Sequence, residues 1–131
     1  MKHLVRFGYI YNGLLVAIVA LSLLMDRTFF FYPPSLASVW NNPIASFLGL
    51  AAGLGLTIYG IINKHSNFIS GLLLGTSAGY LTWLLCIEAY HGWRIGYDKF
   101  TIAMVFEAAS IGFIMVIAYL RNPKKQERYK R

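Results

Sequence analysis

Apolar residues gather in four long blocks along this chain and do not alternate with polar ones. The blocks cover about 7–25, 44–62, 68–90 and 100–120. A helix rising about 1.5 Å per residue needs about 20 apolar residues to cross roughly 30 Å of hydrocarbon. Each block is close to that length. The pattern predicts an all-α, polytopic integral membrane protein with four transmembrane helices in an antiparallel bundle. Residues 1–131 then form a single transmembrane domain, because the spans use most of the chain. The first block follows the basic residues Lys2 and Arg6, as a secretory leader would. Its apolar stretch is longer than a leader core and no clear A-x-A site follows, so it is expected to be a retained span.

The breaks between the blocks carry the expected punctuation. The longest, residues 26–43, holds Phe29, Phe30, Phe31, Tyr32 and Trp40, which suit the aromatic belt at headgroup level. Pro33-Pro34 interrupts any helix there, and 35–40 has room for one interfacial turn. Asn42-Pro43 reads as an N-cap followed by proline at the first helical position. Residues 63–67, Asn-Lys-His-Ser-Asn, form a tight polar hairpin. The last break, 91–99, contains Gly92, Trp93, Gly96 and Tyr97, and Asp98 is placed to cap the fourth span.

Composition narrows the class further. Only 13% of residues are charged, against about 25% in a soluble domain. The hydrophobic share of 57% excludes a disordered chain. A single cysteine, Cys86, excludes an internal disulfide and a zinc knuckle. The net charge of +7 is unevenly placed. With the N-terminus inside, nine basic residues fall on cytoplasmic segments and three (Arg27, Arg94, Lys99) on outer ones. The positive-inside rule then puts both termini in the cytoplasm. The basic tail 121–131 supplies Lys124, Lys125, Arg128, Lys130 and Arg131 for contact with anionic lipid headgroups. It comes with no nucleic-acid reader fold, so no nucleic-acid partner is expected.

Two features inside the spans carry candidate chemistry. The first is small-residue spacing: Gly71, Gly75 and Gly79 in the third span, and Gly49 and Gly53 in the second. In lipid, helices associate through close backbone approach, and such glycines form a packing seam within one bundle or between copies. The second is acidic. Glu88 and Glu107 sit within spans, where a carboxylate is costly and marks a functional site by default. His91 follows Glu88 by three residues and so shares its helical face. Glu88, His91 and Glu107 together would form an ion or proton site near the outer ends of spans three and four, with Arg94 in reach. A simple hydrogen-bonded or ion-paired clasp is the structural alternative. One Glu-x-x-His is half of a di-iron pattern and its partner is missing, so no metal site is expected.

No G-x-S-x-G, Walker loop or H-E-x-x-H occurs, so neither an enzyme nor a cofactor is expected. The first span holds Asn12 and no glutamate, which separates it from small multidrug transporters. The expected function is an oligomeric pore or ion/small-solute transport component of a bacterial plasma membrane, with a holin-like lysis pore as a special case. The competing class is a non-transporting accessory subunit, or an immunity or exclusion factor, bound to another membrane protein.

Overall fold

The computed structural model describes residues 2–62, 66–96 and 101–121. It is helical, with no strand among the described residues. The helices are α1 (Lys2–Met25), α2 (Pro34–Trp40), α3 (Pro43–Ile62), α4 (Asn67–Arg94) and α5 (Ile102–Leu120). Four helical spans are long and apolar enough to cross a membrane, α2 joining α3 in the second of them. The chain is accordingly a multi-pass membrane protein in character.

Helix ends follow from local chemistry. Asn42 caps α3 by accepting from the Ile44 amide at 2.9 Å, with Pro43 at the first helical position. Ser66 and Thr101 cap α4 and α5 by accepting from the Ile69 and Met104 amides. Thr101 does the work expected of Asp98, which lies outside the described residues. α1 begins at Lys2, and α4 continues past Tyr90 to Arg94, so both helices outrun their apolar blocks. Polar residues extend a helix readily until a stop signal arrives. For α4 that signal is Gly96, whose φ of 77° only glycine adopts without strain.

α1 and α3 make the closest pairing in the bundle. A Cβ added at Gly13 would lie 2.4 Å from Thr57 Oγ1 and 2.7 Å from the Gly53 carbonyl. One added at Gly53 would lie 2.5 Å from the Ala17 amide nitrogen. Further along, Gly60 meets Tyr9 and Ile10. α4 packs on α3 through Tyr80 at Gly49 and Leu73 at Gly55. α5 meets α1 where Ile117 and Phe113 face Gly8. The space enclosed is filled by Val16, Leu56, Leu74, Leu81, Leu84, Ile114 and Ile117, all buried. Apolar side chains also cover the outside: Ile44 is 74% exposed, Phe68 79% and Ile102 77%. Such surface is a liability in water and is what hydrocarbon solvates.

The start of α1, the finish of α3, the start of α4 and the finish of α5 meet at one end of the bundle, here the near end. Two arginines staple it. Arg6 Nε donates to the Gly60 carbonyl at 3.1 Å, a cation at a helix C-terminus where free carbonyls need partners. Arg121 donates to the Ser66 carbonyl at 2.6 Å and to Tyr59 Oη at 3.1 Å. Its guanidinium also lies 5.7 Å from the ring centres of both Tyr9 and Tyr59. Arg121 therefore ties α5 to α1, α3 and the α4 cap. Arg121→Ala is expected to cost about 2–3 kcal/mol, from charge-assisted hydrogen bonds and cation–π contact. Arg121→Lys is expected to recover less than half of that, because an ammonium neither forks nor stacks flat. Unfolding midpoints in micelles check both, and a lysine variant equal to wild type would refute the assignment.

Candidate functional site

The opposite, far end is closed by the connection between α1 and α3. Phe30 is completely buried there, with its ring against Phe29, Trp40 and His91. Asn41 holds it by pairing both ways with the Phe30 backbone: Oδ1 accepts from the amide at 3.2 Å and Nδ2 donates to the carbonyl at 2.8 Å. Trp40 continues the cluster onto Tyr90 of α4. Of the aromatics expected in a headgroup belt, Phe30 is therefore core, while Phe29 and Phe31 remain exposed. A full set of aromatic neighbours outcompetes the interface for that ring.

Below this cap, α1 and α5 part. Their contacts, Gly8 with Ile117 and Tyr11 with Phe113, lie toward the near end. Toward the far end a cleft of about 450 Å³ opens between α1, α4, α5 and the start of the loop. Leu15, Ile18, Val19 and Leu23 of α1, Leu84 of α4 and Phe106 of α5 give it an apolar wall. Three carboxyl groups, Asp26, Glu88 and Glu107, complete it, and no basic residue among the described residues lines it. The whole chain has only five acidic residues, and three of them line this one cleft.

The three carboxyl groups sit in different surroundings. Asp26, at the end of α1, accepts from the amide and hydroxyl of Thr28 at 3.0 and 2.8 Å. Glu88 is partly buried and accepts from the Thr101 hydroxyl at 3.2 Å. Glu107 is 4% exposed, and its Oε2 has no hydrogen-bond partner among the described residues. It lies near enough to Glu88 for the two charges to interact. An unpaired carboxylate at such burial is costly. A cation or a proton in the cleft relieves that cost.

The sequence-expected site residues separate here. Glu88 and Glu107 share the cleft wall and His91 does not. Its Nδ1 meets the Tyr32 carbonyl, and its ring packs on Phe30 and Phe31, so the loop captures it. Arg94 lies over the Tyr32 ring, 5.8 Å from its centre, and pairs with neither glutamate. Asp26 was not singled out from the sequence. Its position at the end of a span hid the fact that α1 delivers it to the same cleft. No three His, Cys, Asp or Glu side chains among the described residues are grouped closely enough to hold one metal ion.

The glycines divide as well. Gly49 and Gly53 face other helices of the same chain, whereas Gly71, Gly75 and Gly79 have nothing within 4 Å of an added Cβ. They leave a bare stripe on the outside of α4. The hydroxyls of Thr57, Thr76, Thr82 and Ser110 donate to their own i−4 carbonyls, and Asn12 Nδ2 donates to the Gly8 carbonyl. Asn12 Oδ1 and Ser77 Oγ are buried with no partner among the described residues, like Glu107 Oε2. The tail residues Lys124, Lys125, Arg128, Lys130 and Arg131 lie outside the described residues. Comparisons with protein-family models, curated proteins and solved structures find no match to this chain.

Proposed function

We propose that this chain is a transport or pore component for cations, oriented with both termini in the cytoplasm of a bacterial plasma membrane. One observation carries the reading. Among the described residues, Glu107 is almost fully buried, has an unpartnered Oε2, and lines a cleft that holds two more carboxyl groups and no positive charge. An intramembrane carboxylate left without a partner is expensive and marks a pathway more often than a packing role. Four helices enclose little space by themselves, so the working unit is an oligomer. The bare Gly71–Gly75–Gly79 face of α4 offers the close approach that helix pairing in lipid needs.

Purified protein in liposomes is expected to pass protons or monovalent cations, with flux reduced at least tenfold by Glu107→Gln and less severely by Glu88→Gln. Absence of flux at every pH and lipid composition would overturn the transport reading. The α4 stripe suits a different membrane protein as well as a second copy. Stable co-purification with a larger complex, in place of flux, would favour the accessory or exclusion-factor reading.

A further inference from the structure

The lining of the cleft also bears on what kind of cation it takes. We infer that the site between α1, α4 and α5 binds an organic cation with a bulky apolar body, in preference to a bare inorganic ion. This rests on the proposal of a cation site at Glu107 and names its substrate class. Three independent features of the lining point the same way.

The first is volume. At about 450 Å³ the cleft falls within the roughly 300–1,000 Å³ range of small-molecule pockets, and is far larger than a dehydrated metal ion needs. The second is donor chemistry. A hard cation such as Ca²⁺ takes about 6–8 oxygen ligands. Among the described residues the side-chain oxygens on this wall come from Ser22, Asp26, Glu88 and Glu107, and the three carboxyl groups are not grouped closely enough to hold one such ion. Ser22 bonds the Ile18 carbonyl, and one oxygen each of Asp26 and Glu88 accepts from Thr28 and Thr101. Glu107 Oε2 is buried with no partner among the described residues. Carboxyl groups spread over an apolar wall suit a quaternary ammonium or phosphonium centre, which needs charge neutralisation but no coordination sphere.

The third feature is the apolar surface and its access. Leu15, Val19, Leu23 and Leu84 supply aliphatic contact, and the Phe29 and Phe106 rings are available for cation–π contact. Ile18 and Phe106 on the rim are 62% and 58% exposed. Both sit on helices apolar enough to span the membrane, so the mouth meets the hydrocarbon, where a lipophilic cation concentrates and a hydrated ion does not. Like-signed carboxyl groups in a low-dielectric cleft add electrostatic attraction for any cation that arrives.

The test uses tetraphenylphosphonium as probe and tetraphenylborate, of the same shape and opposite charge, as control, on full-length protein in nanodiscs. Saturable binding of the cation alone is expected, unaffected by 100-fold excess K⁺. Glu107→Gln should weaken it at least tenfold. Ala103→Trp, which fills the cleft from an exposed position and so spares folding, should do the same, whereas Ile58→Ala on α3 should not change it. If proton or K⁺ flux is present and depends on Glu107, yet tetraphenylphosphonium does not bind or K⁺ displaces it, the organic-cation assignment falls while the cation site stands. If neither flux nor binding is found, both fall.

Discussion

Gly53→Val is expected to abolish the folded bundle, and Gly75→Val to leave it intact. A Cβ at Gly53 would come within 2.5 Å of the Ala17 nitrogen and 2.7 Å of the Gly13 carbonyl, both backbone atoms of α1. A side chain can rotate away from a clash, but a helix backbone can only move with its helix. Overpacking of ordinary cores costs about 1–3 kcal/mol. Here the cost is at the upper end or above, because α1 and α3 must separate along their whole contact. Gly13→Val should behave alike, since its Cβ would strike the Thr57 amide nitrogen at 2.6 Å. At Gly75 an added Cβ meets nothing within 4 Å, so valine there leaves the monomer's packing untouched. Its effect should fall on association: a shift from oligomer to monomer in single-molecule photobleaching or cross-linking, with an unchanged unfolding midpoint. An unchanged midpoint in Gly53→Val would refute the packing argument.

These two glycine classes show where the sequence was informative. Four apolar blocks separated by proline, asparagine and glycine signals dictate four long helices, because backbone satisfaction in lipid allows little else. Asn42, Ser66 and Thr101 end up at helix starts because short side-chain acceptors fit those positions. Which face of a helix turns inward is another matter. Every face of these spans is apolar, so the usual amphipathic stripe is absent and four-residue glycine spacing looks the same whether it is packed or bare. Gly8, Gly13 and Gly60 make equally close contacts without that spacing, so no sequence pattern marks them. Burial of Glu107 was legible from its place in a span. Capture of His91 by the loop was not, because it depends on how Phe30 and Asn41 fold residues 26–41 onto the end of α4. Asp26 joined the cleft for the same reason. A residue at a span boundary belongs to whichever neighbours the tertiary packing delivers.

Glu107→Leu is expected to stabilise the protein while removing its transport activity. Insertion scales set the cost of a carboxylate at the centre of a span at about 2.5–3.5 kcal/mol, an upper bound for Glu107, which lies nearer the N-terminal end of α5. Replacing buried charge with packed apolar volume often gains about 1–4 kcal/mol. The gain is realised only if the substitution orphans no other group, and Glu107 meets that condition: no hydrogen bond ties it to a described residue, and its Oε2 is unpartnered. Leucine is close in volume and would face Leu15, Val19 and Leu84 across the cleft. An increase of about 2 kcal/mol in unfolding free energy is therefore expected, measured by denaturation in mixed micelles, together with loss of cation flux in liposomes. Glu88→Leu should gain less, because it also breaks the contact from Thr101. The opposite signs of stability and activity are the signature of a residue kept for function, since selection tolerates such a cost only where activity needs it. A destabilising Glu107→Leu would make the carboxyl group a structural clasp and overturn the cation-site reading.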